Sequence, residues 1–403
     1  MKVTLTPSRL AGTVGAISSK SDVHRILLAA MLAKEATRVY FNTFSEDIRA
    51  TLDCIAALGA KIEERKDGVT VHPGSAPRAV HLNCRESGST ARFILPVAAV
   101  LCESAKLTGS GRLPQRPFDD VCLALEANGC GFDSFRLPLT VTGPLQPGAY
   151  RIRGSVSSQY ISGLLFALPL LSSDSEIVLT TPLQSASYVE MTLYTLAAFG
   201  IKIEKTPSGF SVPGRQQYVS PKKIHAEGDW SNAAFFRVAA ELCGTEIEIK
   251  GLREDSLQGD RAIDEVIALY RDDALHTVYI DAENIPDLVP VLAVLASGKR
   301  KKTVIRGAER LRLKESDRLG SVSAMISALG GSIDETDDGL IITGAGSLSG
   351  GKVDSFADHR IAMSAAIAAL ICEGPVTILG AQAVGKSYPN FFEDYKMLGG
   401  KVQ

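Results

Sequence analysis

Small polar residues cluster at six places along this chain, each time just ahead of an apolar, alanine-rich run, and three of the clusters also carry cations. The groups are Lys20-Ser21-Asp22-Val23-His24-Arg25, Ser87-Gly88-Ser89-Thr90-Ala91-Arg92, Ser157-Ser158-Gln159, Gly228-Asp229-Trp230-Ser231, Pro286-Asp287 and Asp358-His359-Arg360. A helix start carries unpaired backbone N–H groups and the positive end of the helix dipole, so it suits an anion. Lys20, Ser21 and Arg25 could all address one phosphate or carboxylate. Gly88 lets an anion approach the backbone N–H groups of its turn. Ser157, Ser158 and Gln159 offer neutral donors to a sugar-like or cyclitol-like polyol phosphate. Taken singly, each cluster reads equally well as a capped helix start with solvated charges. Six such starts in one chain favour a shared anion receptor.

Other runs add ionisable groups. Lys314-Glu315-Ser316-Asp317-Arg318 places Lys314, Glu315 and Arg318 at helical spacing, between an expected strand ending near Leu313 and an amphipathic helix from Leu319. A solvated helix start explains such a run when it stands alone. Arg360, at the entrance of the apolar run from Ile361 to Ile371, calls for an anionic partner, while Asp358 could serve as a cap. Asp287, after Pro286, could be a cap or a base. Arg116, in Gln115-Arg116-Pro117, lies on an expected loop. Lys386 sits in Val384-Gly385-Lys386-Ser387, which lacks the earlier glycine of a nucleotide-binding loop and so excludes nucleotide hydrolysis on that ground.

The elements that position these groups repeat. Ser21, Ser89, Ser158, Ser231, Asp287 and Asp358 are separated by 68, 69, 73, 56 and 71 residues. Each apolar run is followed by an amphipathic segment ending near a glycine, then two short strands joined by a turn. The first copy has Ile48, Leu52, Ile55 and Leu58 before Gly59 and KIEERKDGVTVHP; the third and fifth copies match it, with Gly200 and Gly330. In the fourth copy the glycine and first strand shrink to RDDALHTVYI, which accounts for the 56-residue interval. Six units divide into two three-unit domains, expected at residues 1–16 plus 228–403 and at 17–227, with the N-terminal strand joining the C-terminal half.

The totals fit this reading. The chain has 403 residues, 45% of them hydrophobic, 36 glycines and a net charge of −2, so it reads as an ordinary α/β protein whose anion site comes from local segregation of charge. Without a basic excess, nucleic acid is not an expected partner. Seven cysteines without paired spacing suit reduced thiols in the cytoplasm. The N-terminus has no signal-like run, and the apolar stretch Ile161–Leu171 is too short for a bilayer. Six scattered histidines give no metal spacing.

With these residues assembled, the chain resembles the 5-enolpyruvylshikimate-3-phosphate synthase family from Leu5 to Gly399, through KSDVHR, SGSTAR, QRP, SVSSQY, EGDWSNAAFF, KESDRL, DHRIAM and VGKSYPNFF in order. The resemblance implies a two-domain inside-out α/β barrel, three βαβαββ-type repeats per domain, an active site in the interdomain cleft, and transfer of a carboxyvinyl group from phosphoenolpyruvate to shikimate 3-phosphate. It assigns shikimate 3-phosphate to Ser21, Arg25, Ser157, Ser158, Gln159, Ser185, Tyr188, Asp287 and Lys314. Phosphoenolpyruvate falls to Lys20, Gly88, Arg116, Gln159, Arg318, Arg360 and Lys386, where the herbicide glyphosate would compete. No cofactor, metal, membrane or nucleic acid is implied, and a cytoplasmic monomer is expected. The catalytic residues would be Glu315 as the acid that protonates the enol methylene, with Lys20 assisting, and Asp287 as the base for the attacking hydroxyl.

Departures from the family pattern are Glu86 where Asn is usual, Ser89 where Thr is usual, and Arg310 where Asn is frequent; the first two are expected to loosen the phosphoenolpyruvate loop. The related UDP-N-acetylglucosamine enolpyruvyl transferases carry a reactive cysteine where this chain has Gly111. A non-catalytic anion-binding protein would have lost Lys20, Asp287 and Glu315, yet all three remain. A cleft lined with like charges is expected to close only on anionic ligands.

Overall fold

The computed structural model describes residues 1–403, and the chain divides into two compact units: unit one is Met1–Ile17 with Gly228–Gln403, and unit two is Ser18–Glu227. The helices of unit two are Lys20–Leu32 (α1), Glu46–Ala57 (α2), Gly88–Leu101 (α3), Asp119–Glu126 (α4), Ser158–Ala167 (α5) and Ala186–Ala198 (α6). Those of unit one are Trp230–Cys243 (α7), Ile263–Arg271 (α8), Val289–Ser297 (α9), Arg318–Ala328 (α10), His359–Ala368 (α11) and Phe391–Met397 (α12).

The odd-numbered helices follow the polar clusters and form the interior. Every residue of α9, VPVLAVLAS, is buried, and so is every residue of α11. A helix without a polar face is stable only when surrounded, each fully buried Val or Leu contributing about 1.5–3 kcal/mol. Accordingly α7, α9 and α11 pack on one another in unit one, and α3 packs on α1 and α5 in unit two. Each unit has its own apolar core.

Sheets cover the helices. Three share one pattern within a single repeat: Ala79–Asn83 runs parallel to Ser104–Thr108, which pairs antiparallel with Leu139–Thr142 and then Gly131–Phe132. The same order holds from Ala149–Arg153 and from Thr277–Asp281. Two sheets keep the order with strands from distant parts of the sequence. Lys223–His225 lies parallel to Thr37–Tyr40, and the N-terminal strand Lys2–Thr6 lies between Val376–Leu379 and Lys401–Val402. Strands such as Ala149–Arg153 bury Tyr150 and Ile152 and expose the alternate residues, so one sheet face meets the helices and the other meets solvent. Each unit is thus an inside-out α/β assembly of three βαβαββ-type repeats.

The fourth repeat is reduced further than its sequence implies. Its sheet has two strands, Gly12–Gly15 and Ile247–Lys250, and lacks the hairpin altogether. Thr277–Asp281, expected as a remnant of that hairpin, opens the next sheet instead, parallel to Lys302–Arg306. A second difference concerns Leu313: the expected strand there is a short 3-10 helix, Glu309–Leu313. The preceding strand ends at Arg306 because Gly307 turns the chain with a φ of 68°, and of the alternating Leu311 and Leu313 the latter points to solvent.

Candidate active site

The polar clusters open their helices slightly earlier than the marker residues indicate. Ser19 occupies the cap position of α1, Ser87 caps α3 through Thr90 N, Ser157 caps α5 through Gln159 N, and Asp229 caps α7 through Asn232 N. Ser21, Ser89, Ser158 and Ser231 therefore lie in the first turns rather than at the caps. Asp358 does cap α11, accepting from Arg360 N at 2.9 Å. Asp287 is no cap: it sits in the 3-10 turn Pro286–Leu288, and its carboxylate faces two arginines.

In unit two, Arg25 is 2% exposed. Its Nε donates to Thr192 Oγ1 at 2.8 Å, Nη1 to Ser21 O at 2.6 Å and Nη2 to Tyr188 O at 2.8 Å, with the rings of Phe93 and Tyr188 stacked nearby. All these partners are neutral. Burial lowers its pKa to about 10, against Asp22 and Tyr188, which raise it; the guanidinium stays charged at neutral pH. A buried cation satisfied only by neutral oxygens has its charge uncompensated, a ready partner for an anion. The bond to Tyr188 O brings the start of α6 to α1. There Ser185 has φ 54° and ψ 45°, a left-handed conformation costing about 1–3 kcal/mol for a non-glycine residue. Arg85, Phe356 and Ala357 share a positive φ, so three of the six such non-glycine residues flank the polar clusters.

A second group of unit two forms around Gly88. A methyl placed on Gly88 would lie 2.6 Å from Arg116 Nη1 and 2.8 Å from Arg92 Nη1, so both guanidinium tips reach this turn. Arg92 Nη1 also donates to Gln159 Oε1 at 2.9 Å, which leaves Gln159 Nε2 to donate to Ser89 Oγ at 2.9 Å. Arg92, like Arg25, is buried among neutral partners: Pro117 O at 3.3 Å and the rings of Phe118 and Tyr160. No role falls to Arg92 from the sequence, although it ends the SGSTAR run; the signal available was a charged residue one turn inside an apolar helix. A hydroxyl chain joins the two groups: His24 Nδ1 to Thr51 Oγ1 at 2.6 Å, Thr51 to Thr90 at 2.7 Å, and Thr90 to Ser87 at 2.7 Å. Lys20 pairs with Asp47 at 2.7 Å.

The three departures from the family pattern acquire structural partners. Ser89 still supplies the hydroxyl that holds Gln159. Glu86 lies against Gly111, where any side chain would strike its carboxylate, and Gly111 itself has a φ of 56°. A cysteine there would have to adopt that left-handed backbone and displace the Glu86 carboxylate. Arg310 Nη2 donates to Glu283 O at 2.8 Å.

In unit one, Arg318 is 1% exposed at the side chain and gathers three carboxylates: Asp358 Oδ2 at 2.9 Å from Nε, Asp287 Oδ1 at 2.9 Å from Nη1 and Glu315 Oε2 at 2.6 Å from Nη2. Arg360 Nη2 lies 2.9 Å from Asp287 Oδ2 and 3.1 Å from Ser231 Oγ. Burial raises the Asp287 pKa, but Arg360, Lys314 and Arg318 together outweigh it and hold the group well below the usual carboxylate range, with Glu315 opposing them. Lys386 donates to Ala357 O at 2.7 Å, beside Asp358. Glu315 and Arg318 do meet at i,i+3, yet the backbone at Lys314 is extended, so the helical face expected over Lys314, Glu315 and Arg318 begins only at Arg318. The arrangement offers acceptors for a proton and cations for an anion within one cluster. No three His, Cys, Asp or Glu side chains are arranged to hold a metal ion, and no helix is long and apolar enough to cross a membrane.

Comparison with known proteins is consistent along the whole chain. The profile described as EPSP synthase (3-phosphoshikimate 1-carboxyvinyltransferase) matches residues 5–395. A Clostridium kluyveri protein named 3-phosphoshikimate 1-carboxyvinyltransferase is 40% identical over 418 residues, covering 99% of this chain and 98% of its own. A Methanocorpusculum labreanum protein of the same name is 38% identical over 422 residues, covering both chains in full. Among solved structures, an EPSP synthase from Acinetobacter baumannii superposes with a TM-score of 0.83 at 25% identity, covering 100% of this chain and 99% of that one. This chain belongs to the EPSP synthase family.

Proposed function

We propose that this chain transfers the carboxyvinyl group of phosphoenolpyruvate to the 5-hydroxyl of shikimate 3-phosphate, releasing phosphate, with the labour divided between two sets of residues. The reaction belongs to the shikimate pathway of aromatic amino acid biosynthesis and proceeds by addition and elimination through a tetrahedral intermediate. Shikimate 3-phosphate is assigned to Ser21, Arg25, Ser157, Ser158, Gln159, Ser185 and Tyr188 of unit two and to Asp287 and Lys314 of unit one. Phosphoenolpyruvate is assigned to Lys20, Gly88, Arg116 and Gln159 of unit two and to Arg318, Arg360 and Lys386 of unit one.

The observation that carries the assignment is Asp287 held between Arg318 and Arg360, each 2.9 Å away. A carboxylate clamped by two guanidinium groups is a weak base. An anionic substrate that draws those arginines to itself relieves the clamp, so the arrival of phosphoenolpyruvate raises the basicity of Asp287 where the attacking hydroxyl must lose its proton. Glu315, on the third arm of Arg318, is the acid for the enol methylene, with Lys20 assisting. Collapse of the adduct then breaks the bond to phosphate, whose developing charge the remaining cations stabilise, while a methyl proton returns to the Glu315 carboxylate and the carbon–carbon double bond re-forms.

Phosphate release measured with phosphoenolpyruvate and each acceptor in turn tests the proposal. Shikimate 3-phosphate should support turnover and UDP-N-acetylglucosamine should not; the reverse would overturn it. The protein is further proposed to work as a cytoplasmic monomer, for which light scattering in solution gives the check.

A further inference from the structure

Close to Arg360 and Asp287 lies a buried acid to which no part of the reaction has been assigned. Asp260 is in the 3-10 turn Gly259–Ala262 ahead of α8 and is 3% exposed. Its Oδ2 accepts a short hydrogen bond from the Ser231 hydroxyl in the first turn of α7. Its Oδ1 is buried without a hydrogen-bond partner. Ser231 Oγ in turn accepts from Arg360 Nη2 at 3.1 Å. The turn that carries Asp260 is pinned to α7, because Gln258 Oε1 accepts from Trp230 N at 3.1 Å and Gln258 Nε2 donates to Gly228 O at 2.7 Å.

A serine hydroxyl has one proton. When that proton goes to Asp260, only lone pairs remain for Arg360, so the carboxyl sets the polarity of the contact. Without Asp260 the hydroxyl is free to rotate and present its proton toward the guanidinium, turning an attraction into a repulsion. We propose that Asp260, acting through Ser231, is a positioning residue that holds Arg360 in place for the carboxylate or phosphate of phosphoenolpyruvate. The inference rests on the assignment of Arg360 to that substrate.

The charge on Asp260 supports a second consequence. Its pKa is raised to about 7, first by burial and then by Asp287, with Asp229 adding to them, while Arg360 and the Ser231 hydrogen bond lower it. These are the charged and titratable groups that face it: Asp287 from the turn before α9, Asp229 from the cap of α7, and Arg360 from α11. As pH rises through neutrality, Asp260 gains a negative charge close to Arg360, and an anion bound there is held less tightly.

Ser231→Ala removes the relay and leaves Asp260; Asp260→Asn keeps the shape and removes the titration. Steady-state phosphate release should show kcat/KM for phosphoenolpyruvate falling about 10- to 150-fold in Ser231→Ala, the scale of one hydrogen bond to a charged group, with the KM for shikimate 3-phosphate within about twofold. In Asp260→Asn, the weakening of phosphoenolpyruvate binding between about pH 6 and 8, measured relative to wild type, should flatten. Arg360→Lys is the control: if it leaves the phosphoenolpyruvate KM unchanged, the assignment of Arg360 fails. If Arg360→Lys raises that KM while Ser231→Ala and Asp260→Asn match wild type in KM and pH profile, the role of Asp260 alone is overturned. Should Asp260→Asn not fold, the KM split in Ser231→Ala decides.

Discussion

Replacing Gly88 by alanine puts the phosphoenolpyruvate assignment under direct strain. A methyl at Gly88 lies 2.6 Å from Arg116 Nη1, 2.9 Å from Arg116 Cζ and 2.8 Å from Arg92 Nη1. Non-bonded heavy atoms rest at about 3.5–4.0 Å, so both guanidinium tips must retreat by roughly 1 Å. The obstructing atoms are ends of flexible side chains, and Gly88 lies in the first turn of α3, where alanine is no worse than glycine. The fold should therefore survive, with the melting temperature moving by no more than about 4 °C, the shift that about 1 kcal/mol produces in a domain of this size. The loss falls on positioning instead, and a misplacement of about 1 Å can cost about 10²-fold. We expect kcat/KM for phosphoenolpyruvate to fall about 10- to 100-fold while the KM for shikimate 3-phosphate stays within about twofold. Because glyphosate would use the same turn, its inhibition constant should rise as well. The assay is phosphate release with each substrate varied against saturation of the other. A folded Gly88→Ala protein with an unchanged phosphoenolpyruvate KM would refute the placement of that substrate at this turn.

Further outcomes follow from the same geometry. Asp287→Asn and Glu315→Gln should each lower kcat by about 10²- to 10⁴-fold with smaller effects on binding, read by turnover against calorimetric affinity; unchanged turnover in either removes that residue from the proton route. Arg318→Met leaves Asp358, fully buried at 0% exposure, without its cation and should cost about 3–5 kcal/mol in denaturant unfolding. Arg25→Met strands only neutral oxygens and should cost less than about 2 kcal/mol, so equal losses would contradict the contrast between the two arginines. His24 is held well below its ordinary pKa by burial, with Lys20 and Arg25 adding to the effect. Below about pH 6.5 the unfolded chain takes up a proton that the folded chain refuses, so stability falls as pH drops toward the folded value, by at most about 1.4 kcal/mol per pH unit. His24→Gln should make that acid limb shallower in unfolding midpoints collected from pH 7.5 to 5; an identical slope would mean that His24 is charged in the fold.

What could be read from sequence was whatever a local pattern enforces. Helices such as α9 and α11 have no polar face, so their burial follows from composition alone, and the glycines at 59, 129, 200, 330 and 399 adopt the positive φ that suits a helix end before a strand. Patterns that two structures satisfy equally misled: Leu311 and Leu313 alternate like a strand but belong to a 3-10 turn. Contacts between distant segments left no trace in any window. Asp287 meets Arg318 and Arg360 across 31 and 73 residues, and Asp260 meets Ser231 across 29. A proline-aspartate pair looks like an ordinary helix opening until those arginines stand beside it.

The two units hold their cations in opposite ways, and the difference bears on how the reaction can be ordered. Arg25 and Arg92 in unit two are buried among neutral partners, so an anion that reaches them displaces no internal ion pair and realises most of its Coulombic attraction. In unit one, Arg318 and Arg360 are already engaged by Asp287, Glu315 and Asp358, so an incoming anion must compete with carboxylates the protein supplies. Binding there is weaker per contact, but each pKa unit that Asp287 recovers as its arginines turn away returns about 1.4 kcal/mol of basicity. The clamp thus keeps the acid and base groups inert in the free protein and readies them only when the donor substrate is present, so the acceptor hydroxyl loses its proton only beside a bound donor. On this reading the contacts made by unit two contribute affinity, and those made at the clamp of unit one contribute reactivity.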